Sequence, residues 1–362
     1  MMRRACHALL ILAAACGDDG NATSDGGADA AADAPAVQPP LTNATALTCP
    51  DPQALPFKVD GWGFHSMTNA TLAAQNPRVK NEASDTIGLA DGSKLANIYM
   101  ADTDAVAGGQ IDYQGDAART THTGGLFEKP LVNEFVSLWY YDGSAWQTVG
   151  RAETDGTTAR WDLPATGYTS PNGATLYSVL EADGSCAEHS DTLLPAGEKV
   201  VVMDIDGTLT LSDNEFLMEV TDDTYVPQPM VMAAAMAQAW AAKHYTVVYL
   251  TARTHVFRPE TRQWLDTQGF PPGPVITENG GETADAYKTI WLQRITTDLG
   301  WVVEAAYGNA DTDITAYNNV GIPKDHTFII GPLAGSEGTV GIANDDYTSH
   351  IASFIAAEPD NN

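Results

Sequence analysis

Residues 201–210 read VVMDIDGTLT. The run begins as a buried strand and ends abruptly in Asp204-Ile205-Asp206, followed by a glycine and a threonine. Two like charges at the end of an apolar strand repel each other and resist loss of water. A cation held between them, or a reaction that uses one of them, would answer that cost.

Strand and helix patterns alternate on either side of this run. KVVVMD (199–204) reads as a strand, residues 228–244 as a helix rich in Ala and Met, and TVVYLT (246–251) as a strand. An amphipathic helix over 257–269, closed by Gly269, comes next. It is followed by a short strand at 275–277, a helix over 285–299 and a strand at 302–307. A helix over 312–320 and a strand at 327–330 complete the pattern. Alternation of this kind predicts an α/β domain over residues 193–362, a parallel sheet with helices on both faces.

Residues 49–192 have a different texture. Short β-branched and aromatic runs such as 131–150 and 174–185 are separated by turn signals, including Asp142-Gly143. They predict a β-sandwich-like domain with no helix of useful length. Trp62, Trp139, Trp146 and Trp161 fit strand packing better than a ligand groove. His65 and His122 lack partners at metal spacing.

Composition sets outer bounds. The 362 residues carry 47 acidic against 18 basic side chains, a formal charge of −29. That balance argues against nucleic acid and against electrostatic adhesion to anionic lipid. Any phosphate site must therefore be local. Arg3 and Arg4 precede a short apolar run, Ala8–Ala15, and residues 1–16 read as an export signal. LAAAC (12–16) resembles a bacterial lipoprotein signal, cleaved before a lipidated Cys16, although Ala13 stands where a large apolar residue is usual. The expected product is an exported, membrane-anchored protein facing the periplasm or the cell surface, with ordinary secretion as the alternative. Residues 17–48 are Asp, Ala, Gly, Pro and Thr and read as a flexible acidic tether. Cys49 and Cys186 remain as a candidate disulfide bracketing the first domain. Asn21, Asn43 and Asn69 open N-A-T triplets, discounted as glycosylation sites beside a bacterial-looking signal.

In a parallel sheet, ligands bind beyond the carboxyl ends of the strands. Asp204, Asp206 and Thr208 follow the first strand, and Thr251 and Arg253 the second. Lys288 opens a helix, and Asn309, Asp311 and Asp313 follow the strand ending at Tyr307. One carboxylate could attack phosphorus while another, two residues on, moves protons. A hydroxyl and an ammonium could hold phosphoryl oxygens, and a hard cation would let the acids coexist.

This ordered set resembles the haloacid dehalogenase (HAD) superfamily of aspartate-nucleophile phosphatases, with their Rossmann-like parallel sheet. The DxDGT motif stands as Asp204–Thr208, the strand-end hydroxyl as Thr251, the lone lysine as Lys288 and the acidic loop as GNADTD (308–313). Asn309 replaces the commoner first Asp of that loop. DIDGTLTLSD, VVYLTAR, Thr261-Arg262 and AAYGNADTDITAYNNVGIP are similar to lipin-type phosphatidate phosphatase domains. They are equally similar to the C-terminal domain of retinal-degeneration-B class phosphatidylinositol transfer proteins, which QWLDTQGFPPGPV (263–275) fits particularly well. The resemblance implies phosphatidate recognition more firmly than turnover. It implies Asp204 as nucleophile, Asp206 as general acid/base, and Thr208, Thr251 and Lys288 on the phosphoryl group. Arg253 is either a phosphate contact or a structural ion pair. Mg²⁺ would be held by Asp204, Asp206 through its backbone carbonyl, and Asn309 or Asp313. The expected partner is a phosphorylated lipid or a small phosphomonoester. Neither gap between the motifs leaves room for a large cap domain.

Overall fold

A computed structural model describes residues 61–75, 79–97, 105–114, 128–141, 146–164, 175–222, 225–278 and 281–361. The expected signal, the tether, lipidated Cys16, Asn21, Asn43, Cys49 and His122 lie outside the described residues. Cys186 is disulfide-bonded.

The chain is mixed α/β, with a β-rich first half. Six strands run in the order Leu95–Asn97, Thr86–Leu89, Cys186–Leu194, Thr175–Leu180, Phe135–Tyr141, Trp146–Glu153. All pairs are antiparallel except Thr86–Leu89 with Cys186–Leu194. A second sheet joins Val79–Ala83, Glu128–Pro130 and Arg160–Pro164 to Ala105–Gln114. The two sheets share one apolar cluster in which Trp161 and Leu163 meet Leu138, Leu176 and Leu180. Trp161 is therefore core. Trp62 meets Trp139 edge-on, and Trp146 packs against Tyr141 and Tyr177.

A helix, Met67–Gln75, interrupts this half where only strands were expected. Its anchor is Asn69, whose buried amide donates to the Val132 carbonyl at 2.8 Å and to Glu134 Oε1 at 2.7 Å. A nine-residue helix pinned by one polar side chain leaves little apolar period to read. The same burial removes the Asn69 amide from the surface.

The second half is built on six strands in the order Val275–Glu278, Thr246–Thr254, Lys199–Met203, Val302–Gly308, Thr327–Ile329, Val340–Gly341, and every pair is parallel. Val201 and Met203 of the central strand enter one cluster with Trp240, Trp264 and Phe328. Val200 and Val202 enter the other, with Trp291, Leu292 and Tyr317. Alternation across the pleat thus buries the strand on both faces. Ile87 and Ala96 of the β-rich half join that second cluster.

Three of the four expected helices are shorter than their sequence patterns, and the one expected over 312–320 keeps its length as Asp311–Asn319. The one expected over 228–244 spans Ala233–Ala241, because Pro229 bridges to Thr210 and Met232 turns left-handed at φ 64°. Ala284–Gln293 passes into a wider π turn at Arg294–Asp298. A further helix, Asn214–Thr221, lies where no apolar period announced one.

Candidate active site

Asp204 is the first residue beyond the central strand, and its N–H still pairs with the Tyr307 carbonyl at 3.0 Å. The chain then wraps tightly. The amides of Thr208, Leu209 and Thr210 all point at the Ile205 carbonyl. Gly207 makes this turn possible with φ +67°. A Cβ there would lie 2.1 Å from Asn309 Nδ2 and 2.6 Å from Asp213 Oδ1. The wrap turns the Thr208 hydroxyl back to 3.3 Å from Asp204 Oδ2 and 3.4 Å from Asn309 Oδ1.

Lys288 comes from the helix Ala284–Gln293 and is buried. Its ammonium donates to Asp204 Oδ1 at 2.7 Å and to Asp313 Oδ1 at 2.6 Å. The other oxygen of Asp313 accepts the amides of Asn309 and Ala310, at 3.0 and 3.1 Å, at the start of the helix Asp311–Asn319. Both oxygens of Asp313 are thus engaged. Asp311, in the same first turn, is exposed.

Burial pushes the Asp204 carboxyl up to about 8; Lys288 pulls it down, and the Asp313 charge adds to the rise. Burial alone would lower Lys288, but Asp204 and Asp313 outweigh it and hold the ammonium well above the ordinary lysine range. The three groups behave as one coupled unit.

A second ion pair lies beside the first. Arg253 Nε sits 3.1 and 2.9 Å from the two oxygens of Asp206, and Nη2 reaches Oδ1 at 2.8 Å. Nη1 donates to Glu219 Oε2 at 3.1 Å and to Thr261 Oγ1 at 3.2 Å. The guanidinium also lies over the Phe216 ring, 4.8 Å from its centroid. All three nitrogens of Arg253 are committed to protein partners, the ion-pair alternative of the two. Thr251 is fully buried, and its hydroxyl oxygen accepts the Arg253 amide at 3.1 Å.

The structure therefore joins Asp204, Thr208, Lys288, Asn309 and Asp313 directly and sets Asp206 with Arg253 alongside. Three participants were missed in the sequence. Asp213 accepts the Asn309 side-chain amide at 3.0 Å. Glu219 and Thr261 brace Arg253. Asp213, the last residue of DIDGTLTLSD, and Thr261, quoted with Arg262, lay in stretches already singled out, though neither was given a role; Glu219 lay in none.

Among the described residues, no three of His, Cys, Asp and Glu are grouped to hold a metal ion. Asp204 Oδ2 and Asn309 Oδ1 both lie against the Thr208 hydroxyl, which brings the carboxyl and the amide oxygen together. An all-oxygen set of few protein ligands fits Mg²⁺, which keeps several of its waters. No helix among the described residues is long and apolar enough to cross a membrane.

Residues 201–331 match the family model described as PITM 1-3, LNS2 domain. The chain is 27% identical over 214 residues to Protein retinal degeneration B of Drosophila melanogaster, covering 54% of this chain and 16% of that protein. It is 26% identical over 181 residues to human Membrane-associated phosphatidylinositol transfer protein 3, covering 49% and 18%. The chain thus spans less than a fifth of the length of these curated relatives. A chain of the solved "Structure of Pnkp1/Rnl/Hen1 complex" aligns with a TM-score of 0.30 at 18% identity, over 36% of this chain and 46% of its own. That likeness is too slight to carry an argument.

Proposed function

We propose that the second half is a HAD-type, Mg²⁺-dependent phosphomonoester hydrolase acting on a lipid phosphate, with phosphatidate as the best candidate. One observation carries the reading. Buried Lys288 grips one oxygen of Asp204 and leaves the other facing only the Thr208 hydroxyl at 3.3 Å. A side chain restrained in this way presents one oxygen as a nucleophile.

In the proposed reaction Asp204 Oδ2 attacks phosphorus and the bond to the ester oxygen breaks. Asp206 gives that oxygen its proton, leaving an aspartyl phosphate. Asp206, then a carboxylate paired with Arg253, takes a proton from water as the water attacks phosphorus. Inorganic phosphate leaves and Asp204 is regenerated. Thr208 and Thr251 would donate their hydroxyl hydrogens to phosphoryl oxygens. Asp204, the Asp206 backbone carbonyl and Asn309 would hold Mg²⁺, with Asp313 serving through Lys288. Bound there, Mg²⁺ would neutralise charge on the phosphoryl oxygens.

The lipid part of the reading rests on the similarity to proteins named as phosphatidylinositol transfer proteins. The same similarity favours a second reading, a module that binds a lipid phosphate without hydrolysing it. Phosphate release from phosphatidate in detergent micelles, with and without Mg²⁺, separates the two. Mg²⁺-dependent release abolished by Asp204→Asn supports the hydrolase. Vesicle binding that survives Asp204→Asn, with no release, supports the binding module.

A further inference from the structure

The β-rich half reaches the neighbourhood of the site through Ser84 and Asp85, both buried. Oδ1 of Asp85 accepts Arg258 Nη2 and the Ser190 amide, the latter at 2.9 Å. Oδ2 accepts Arg262 Nη2 and the Val275 amide, the latter at 2.8 Å. Arg258 also donates to the Glu188 carbonyl at 2.8 Å. The Ser84 hydroxyl lies 3.2 Å from His255 Nε2, and His255 Nδ1 lies 2.8 Å from the Thr277 hydroxyl. One carboxylate therefore ties the β-rich strand Cys186–Leu194 to the helix Arg258–Thr267 and the edge strand Val275–Glu278.

The two arginines sit at i and i+4 of that helix, on one face and one turn apart. Between them in sequence is Thr261, fully buried, whose hydroxyl accepts Arg253 Nη1. The remaining nitrogens of Arg253 hold the Asp206 carboxylate. Burial alone would raise Asp85, but the two arginines and the two amides outweigh it and keep the carboxyl well below its ordinary range. The clamp is charged at any working pH.

We propose that Asp85 is a positioning residue for the candidate active site. By gripping Arg258 and Arg262 it fixes the helical turn that carries Thr261, and through Thr261 and Arg253 it holds Asp206 in place. The β-rich half then completes the site from behind. This inference rests on the hydrolase reading only where turnover is its readout.

The test uses the full chain as wild type, Asp85→Asn, Thr261→Val and the double variant. Turnover of phosphatidate in detergent micelles with Mg²⁺ is one readout, and hydrogen exchange of residues 204–210 is the other. Asp85→Asn should lower kcat by about tenfold to a hundredfold with KM within about twofold, as expected for a misplaced proton-transfer group. Exchange at 204–210 should quicken, and the double variant should be no worse than the poorer single one. A purely structural role predicts otherwise: multiplicative losses, or faster exchange confined to residues 84–97 and 258–267. Either outcome overturns the proposal. If the wild type releases no phosphate, the hydrolase reading fails alone and exchange at 204–210 decides the positioning role. If Asp85→Asn does not fold, Arg262→Gln removes the less buried arm of the clamp and is read in the same way.

Discussion

Replacing Lys288 by Met tests the coupled unit at its centre. The ammonium serves two carboxylates at 2.7 and 2.6 Å, and all three side chains are buried. Removing one partner of a buried ion pair costs about 3–5 kcal/mol, because the other charge is stranded. Here one deletion leaves two buried carboxyls facing the same space with no cation between them, so a cost of about 3–5 kcal/mol at pH 8 is expected. The sign of the pH dependence follows. Asp204 is already raised to about 8 by burial, and without the lysine that pulls it down it rises further. A folded-state value above the unfolded one loses stability as pH rises, and in the variant that loss continues past the point where the wild-type group has ionised. The deficit should therefore be larger at about pH 9.5 than at pH 7, by about 1 kcal/mol or more. Urea unfolding followed by fluorescence of the buried tryptophans, in chelator, measures both values. Asp313→Asn in the Lys288→Met background removes one stranded charge and should restore about half of the loss. A deficit under about 1 kcal/mol at pH 8, or one no larger at about pH 9.5 than at pH 7, would refute the reasoning.

Other perturbations have distinct signatures. Gly207→Ala places a Cβ against the Asn309–Asp213 hydrogen bond at φ +67°; it should cost about 2–3 kcal/mol in urea unfolding, where an open surface turn would lose at most about 1–2. Arg253→Lys keeps the charge but cannot span Asp206, Glu219 and Thr261 together; phosphate release should fall about tenfold and stability by about 2 kcal/mol. Glu278 is buried, with no hydrogen-bond partner for Oε1 among the described residues, and burial, helped by Glu282, pushes its carboxyl up to about 7. An acid raised from its ordinary 4.5 to about 7 loses folded-state stability as pH rises across that window. Glu278→Gln should therefore stabilise by about 1–3 kcal/mol at pH 8 and by almost nothing below pH 5, read as the shift in urea midpoint.

What could be read from the sequence divides along physical lines. Val200–Met203 are continuously apolar because the strand is buried on both faces, so the parallel sheet was legible from a few residues. Asp204, Lys288 and Asp313 were legible as candidates only as a set, because a strand-end Asp is often a helix cap and a helix Lys is usually solvated, and their order along the chain with DxDGT and Thr251 is what gave them weight. The brace was not. Glu219 and Thr261 look like ordinary helix residues, and their burial depends on where Arg253 points. Asp85 was invisible for the same reason, since it meets Arg258 only across 173 residues of chain. Helix lengths were overread where Pro229 and Met232 belong to a bridge and a left-handed turn, which override good helix propensity. The helix Met67–Gln75 was missed because a buried asparagine, rather than an apolar stripe, fixes it.

Charge in the candidate site gives the strongest physical reason to expect a cation there. Asp204, Asp206, Asp213, Glu219 and Asp313 are linked through hydrogen bonds into two adjoining networks, in which Lys288 and Arg253 are the cations bonded to Asp204, Asp313, Asp206 and Glu219. A phosphate monoester would bring still more negative charge into a space already acidic. Each cation is already held by carboxylates whose charge it balances, and two of the three N–H donors of Lys288 go to Asp204 and Asp313. On the proposed reading, further positive charge would accompany the substrate, and the oxygens facing Thr208 suit a hard divalent ion. The same imbalance extends to the whole chain at −29, so long-range attraction cannot bring an anionic lipid to the site. We propose that capture depends on proximity, which a lipid on Cys16 would supply: a tethered site would meet its membrane without having to attract it.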